Sequence, residues 1–161
     1  MDAIKLLTSQ HRSLEATLKK ALAAKTDGGQ YKLFAKAADE LSVHISSEEQ
    51  IFYPAVKAIK TEDILLESLE EHLSLKRLVA DLVELMPEDE TFQPKLKVLS
   101  EQAEHHHKEE EENLFPKVKK LLTEKELDDL GTEMKSLQSA LKKQGDPRES
   151  VIDETLEAQG L

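Results

Sequence analysis

Two stretches of this chain repeat one another, and the repeat restricts the fold more than any other feature. "SVHISSEEQIFYPAV" (42–56) registers on "AEHHHKEEEENLFPKV" (103–118) at an offset of 62 residues. His44 falls on His106, Glu48 on Glu110, Glu49 on Glu111, Tyr53 on Phe115, Pro54 on Pro116 and Val56 on Val118. Upstream, "HRSLEATL" from His11 aligns with "HLSLKRLV" from His72 at an offset of 61. Each copy is a lone histidine followed 33 or 34 residues later by HxxxE, with a proline ten positions beyond that second histidine. Any fold of this chain must set two equivalent units against each other.

The units are helical hairpins. Ile4, Leu7, Leu14, Leu18 and Leu22 recur at three and four, as do Leu33, Phe34, Ala37, Leu41, Ile45, Phe52 and Val56, and then Ile64, Leu65, Leu69, Leu75, Leu78 and Leu82. With five Gly, five Pro and much Leu, Ala, Lys and Glu, the composition favours helix over strand. Breakers at "KTDGGQ" (25–30), "IKTED" and "MPEDETFQP" predict helices over about 2–24, 30–59, 62–85 and 93–122. Thr61 is the expected cap of the third, and Thr123 with Glu126 forms a capping box that opens a fifth helix over about 124–143. Pro54 and Pro116, inside the second and fourth helices, should each produce a kink. Short connections between long amphipathic helices make neighbours antiparallel. The expected fold is all-α, an up-down-up-down four-helix bundle over residues 1–143, with a core of about 2–122 and an additional C-terminal helix. Residues 144–161 read as a tail or a short helix carrying Val151, Ile152 and Leu156.

A formal charge of −11 without a basic cluster disfavours nucleic acid and anionic membrane surfaces as partners. No apolar run approaches the roughly 20 residues needed to span a bilayer, and the start of the chain is unlike a signal peptide, so the expected location is cytoplasmic. With no Cys, any metal must take nitrogen and oxygen ligands.

The HxxxE spacing has a chemical reason. Positions i and i+4 on a helix are neighbours, so one imidazole and one carboxylate reach the same ion from one face. Within "HHHKEEEE" the pairs His105/Glu109, His106/Glu110 and His107/Glu111 all have that spacing, and helical phase leaves the last two tied. The repeat selects His106 and Glu110, because His107 falls on Ile45, an ordinary apolar residue, whereas His106 falls on His44. The candidate set is His11, His44, Glu48, His72, His106 and Glu110, with His107 and Tyr53 as secondary candidates and His105 assigned to solvent. Glu49 and Glu111 are expected on a wet acidic face or as orienting groups behind the ligands; Lys76 needs only a packing explanation. Buried imidazoles and carboxylates are costly unless compensated, and two divalent cations bridged by the glutamates would compensate these. Mixed imidazole and carboxylate ligands suit iron, with manganese or zinc behind it.

At these residues the chain resembles the hemerythrin-like, or HHE cation-binding, family, whose signature is H…HxxxE…H…HxxxE on four antiparallel helices. The resemblance spans roughly residues 11–118. It implies a non-haem pair of iron ions joined by an oxo or hydroxo bridge and both glutamates, with the four histidines as terminal ligands. The oxygen-carrier pattern is incomplete, since Ser68 and Lys76 flank His72 at four residues and the fourth helix carries HxxxE rather than HxxxxD. About two coordination positions then stay open to O2, H2O2 or NO. The implied function is binding of, or reaction with, such a ligand, catalase- or peroxidase-like if it turns over, in oxidative or nitrosative stress defence. The alternative is a module that senses or stores iron or oxygen.

Overall fold

The computed structural model describes residues 1–158, with side chains through Thr155, and among them there are helices and no strands. In chain order they are α1 (Ala3–Ala23), α2 (Asp27–Ser47), α3 (Tyr53–Val56), α4 (Glu62–Glu84), α5 (Phe92–Glu109), α6 (Phe115–Leu121), α7 (Glu124–Gln144) and α8 (Pro147–Ala158). Single π-helical turns, Glu48–Phe52 and Glu110–Leu114, join α2 to α3 and α5 to α6. Four long antiparallel rods result. α1 packs on α2 and α5, and α4 on α5, while α8 lies against both α4 and α2.

Several local expectations are corrected. Gly28 and Gly29 do not end the first helix's loop but sit in the first turn of α2, because Thr26 caps it, its Oγ1 accepting from Gly29 N at 3.0 Å. Thr61 does not cap α4 through its side chain; its hydroxyl is turned back onto the loop, donating to Val56 O at 2.8 Å. The Thr123/Glu126 capping box is present.

The prolines produce π turns. Tyr53 N–H reaches back five residues to Glu48 O, and Phe115 N–H to Glu110 O. The widened turn relieves the crowding that a proline ring imposes on the preceding turn of a regular helix. Each π turn begins at the glutamate of an HxxxE pair.

The apolar interior is divided. One cluster holds Leu14, Leu18, Phe34, Leu41, Leu75 and Leu99 among others; a second holds Leu7, Phe52, Leu65, Leu114 and Val118. Between them runs a polar layer, because His11, His72 and His106 occupy places on the same stripes as Leu7, Leu14, Leu75 and Ala103. α7 packs on α1 and α2, where its Gly131 lies against the backbone of residues 1–3. α8 follows a turn with positive φ at Gly145 and Asp146, and contributes Val151 to the first cluster. It is held to α2 by Arg148, whose guanidinium is 2.8 Å from Asp39 Oδ2. The side chain of Leu156 lies outside the described residues.

Candidate metal centre

Seven titratable side chains meet in the polar layer: His11, His44, Glu48, His72, His106, His107 and Glu110, none more than 2 % exposed. Six of them form two overlapping groups whose ligand atoms all lie within 4.8 Å of one another, His11, His44, Glu48 and Glu110 in one and Glu48, His72, His106 and Glu110 in the other, and His107 forms a third such group with His11 and His44. Each long rod supplies one histidine to the first two groups, and both glutamates belong to both of these.

Short distances knit the groups together. His44 Nε2 is 3.0 Å from Glu48 Oε1, and His11 Nε2 is 3.2 Å from Glu110 Oε1. His72 Nε2 is 3.5 Å from Glu48 Oε1, and His106 Nε2 is 3.5 Å from Glu110 Oε1. Yet His11 Nε2, His44 Nε2, both Glu48 oxygens and Glu110 Oε1 have no hydrogen-bond partner. These atoms therefore lie close together, within 4.8 Å inside each group, without pairing. Buried polar atoms left unpaired carry a desolvation cost that a shared cation removes.

Behind each inward nitrogen the other ring nitrogen is held. His11 Nδ1 meets Glu111 Oε2 at 2.8 Å, and His72 Nδ1 meets Glu49 Oε2 at 2.7 Å. His44 Nδ1 meets Gln10 Oε1 at 2.8 Å, and His106 Nδ1 meets Glu71 Oε1 at 2.9 Å. Outer partners of this kind fix tautomer and ring orientation. They obey the repeat as well: Glu49 pairs with Glu111, and Gln10 and Glu71 each immediately precede the lone histidine of their hairpin. Glu49 and Glu111 therefore act as orienting groups. Gln10 and Glu71 escaped sequence reasoning, although the same alignment carries them. Lys76 has more than a packing role, bridging Glu49 at 3.0 Å and Glu154 of α8 at 3.1 Å.

Tyr53 is buried at 4 % exposure, and its hydroxyl donates to Glu110 Oε2 at 2.7 Å while lying 3.2 Å from His72 Nε2. Nine residues of regular α-helix would carry it to the face opposite His44; the extra residue of the π turn takes back about 100°. Burial, then the Glu110 and Glu48 carboxylates, push its phenol well above the usual range, so it remains a donor. His105 is outside the layer, its side chain 65 % exposed. His107 is inside it, with neither ring nitrogen hydrogen-bonded.

Charges in the layer are strongly coupled. Burial alone would lower His72, but the facing Glu48 carboxylate and the hydrogen-bonded Glu49 outweigh it and raise its pKa to about 9. Burial would raise Glu48, yet the facing His44 and its other partners hold it well below the usual carboxylate range. Burial, reinforced by the neighbouring imidazoles, pushes His107 down and keeps it neutral.

A sequence model described as the Hemerythrin HHE cation binding domain matches residues 2–118, most of the chain. The chain belongs to this family. Like the family's name, the two overlapping histidine and glutamate groups mark a cation-binding domain. A solved hemerythrin HHE cation-binding domain-containing protein from Mycobacterium kansasii superimposes with a TM-score of 0.76 at 22 % identity, covering 95 % of this chain and 98 % of that one. The likeness establishes a shared fold over nearly the whole chain. A protein from Nostoc sp. described as a DNA nickase is 25 % identical over 108 residues, or 67 % of this chain; the chain spans only 31 % of that relative's length. No described helix is long and apolar enough to cross a membrane.

Proposed function

We propose that this protein holds a pair of iron ions and uses them to bind or reduce a small ligand, O2, H2O2 or NO, in defence against oxidative or nitrosative stress. The observation carrying this reading is the sharing of Glu48 and Glu110 by both ligand groups, which provides two bridging carboxylates and four terminal imidazoles for two adjacent cations. Manganese or zinc would fit the same donors, but neutral nitrogen with hard oxygen and no thiolate suits iron. The DNA nickase description is not carried over, since the chain spans only 31 % of that relative and a charge of −11 without a basic cluster disfavours a phosphate-backbone partner.

In this reading Glu48 and Glu110 would each serve both ions, with His11 and His44 completing the donors of one and His72 and His106 those of the other. The chemistry that an iron pair would supply there, when bound in its reduced state, is two electrons for O2 or a peroxide. Tyr53 places a neutral O–H beside Glu110 and His72, where it can donate to a ligand or, on losing its proton, join the coordination. Glu49, Glu71, Glu111 and Gln10 keep the imidazoles oriented. The two apolar clusters above and below exclude water, and a surface cleft of about 430 Å³ reaches Glu71, the outer partner of His106, without being lined by any of the ligand residues.

Metal analysis of the purified protein, with optical spectra of the iron-loaded form before and after O2 or H2O2, tests the proposal. Two equivalents of iron and a spectral change on oxidation are expected; protein that takes up no metal would refute it. Consumption of peroxide with turnover indicates a catalase- or peroxidase-like enzyme. Reversible oxygenation without turnover indicates a sensing or storage module, the second reading. His44→Ala and His106→Ala should each lose metal, whereas His105→Ala should retain it; the reverse pattern would show the register to be wrong.

Proton coupling gives a further check. A cation at His72 requires the neutral ring, and in the empty site that ring is protonated up to about pH 9. Uptake should therefore release a proton, and apparent affinity should rise with pH toward 9, by at most about tenfold per unit for one proton. The empty protein should respond oppositely. His72 is raised above its ordinary 6.5, so its contribution to stability is complete below pH 6.5 and is lost as pH climbs through about 9. Calorimetric titration in buffers of different ionisation enthalpy counts the proton, and an affinity independent of pH between 7 and 9 would contradict the coupling.

A further inference from the structure

The two hairpins supply matching residues around the layer except at a few places, and one exception has no partner at all. His107 occupies the repeat position of Ile45, a core residue 3 % exposed. It is itself 1 % exposed, and both ring nitrogens lack hydrogen bonds, although a polar ring in an apolar position carries a cost without them. Its Nδ1 lies 3.8 Å from Glu15 Oε1, too far for a direct hydrogen bond. One of its nitrogens lies within 4.8 Å of nitrogens of both His11 and His44.

That proximity invites assignment as a fifth imidazole ligand, and the ring geometry argues against it. His107 stacks on His11 with centroids 3.9 Å apart and planes only 9° from parallel. An imidazole coordinates through a lone pair lying in its ring plane. Two rings stacked in separate parallel planes cannot both contain the same ion, and the His11 Nε2 is the nitrogen already facing Glu110. His107 thus stands beside the His11/His44 position, its unpaired nitrogen available to whatever binds next to the ion there.

We propose that His107 is the hydrogen-bond partner of the small exogenous ligand at the His11/His44 cation position, contacting the ligand without joining the coordination. This rests on the paired-cation reading above and adds to it a polar contact for a small, hydrogen-bonding ligand such as a hydroperoxide. The two cation positions become inequivalent: an imidazole of the second hairpin serves one, and the Tyr53 phenol of the first hairpin serves the other.

Azide is a suitable probe. The iron-loaded wild-type protein, His107→Ile and His107→Asn would be compared by iron content, circular dichroism and azide titration followed optically. Ile45 provides a packing precedent for the isoleucine, and asparagine retains an N–H. Both variants should keep two equivalents of iron; azide should bind His107→Ile about tenfold or more weakly, and His107→Asn should recover part of the loss. Loss of iron in folded His107→Asn would make His107 a ligand and overturn the proposal. Azide affinity unchanged in both variants would reduce His107 to packing and overturn it equally. A wild-type protein that binds no iron would instead overturn the paired-cation reading, and this inference with it.

Discussion

On the proposed paired-cation reading, Glu48→Ala is expected to empty both positions at once. Glu48 is fully buried, belongs to both ligand groups, and has neither carboxylate oxygen hydrogen-bonded. Removing an outer partner of a metal ligand typically costs about 10- to 100-fold in affinity. Removal of a bridge should cost more than that at each position, because the histidines of either group then face a single remaining carboxylate. Heat supplies an independent readout. Ligands that bind only the folded state stabilise it in proportion to the logarithm of their concentration over Kd, so chelation should lower the wild-type melting temperature and leave that of Glu48→Ala unchanged. His105→Ala, altering a mostly exposed side chain, should behave as wild type in both assays. Two equivalents of tightly held metal in folded Glu48→Ala would remove the bridging role.

The second large effect is expected far from the metal layer. A Cβ on Gly131 would sit 2.2 Å from Met1 O, 2.9 Å from Asp2 C and 3.0 Å from Ala3 N, all backbone atoms that cannot rotate away. Gly131→Ala must push α7 off the start of α1. The helix gains about 0.5 to 1 kcal/mol in propensity from the substitution. Overpacking of this kind costs about 1 to 3 kcal/mol or more, and the clash with fixed backbone places the net result on the destabilising side. The consequence should travel. Buried Leu127 and Met134 lie on the same helix, and Gln138 pairs with Gln10, its Oε1 accepting at 2.8 Å, while Gln10 in turn accepts from His44. Metal affinity at the position that uses His44 should therefore fall more than at the one formed by His72 and His106. A melting temperature equal to wild type would show that α7 accommodates the methyl group.

Legibility of the chain differed between levels for identifiable reasons. The four rods follow from the three- and four-residue recurrence of apolar side chains and their antiparallel order from the short connections, patterns local enough to read directly. Their ends were less legible, because Gly28 and Gly29 resemble a loop until Thr26 is seen capping the turn that contains them. For His106 over its neighbours, the repeat with His44 resolved what helical phase alone left tied, and the structure brings together the residues so selected. His107 shares the layer as well, since a helix face wide enough for His106 also admits the residue beside it.

What the sequence by itself determined is the hairpin duplication, the helical class, the family signature and the residue types available to a cation, because all of these reside in spacing along one chain. Tertiary structure decided the rest. It determined that Tyr53 turns inward, because a π turn inserts one residue into the helical phase; that Gln10 and Glu71 back the imidazoles, because they are reached only across helices; and that Lys76 joins Glu49 to α8. Each of these depends on distances between segments far apart in sequence, and such distances exist only once the apolar clusters have closed around the polar layer.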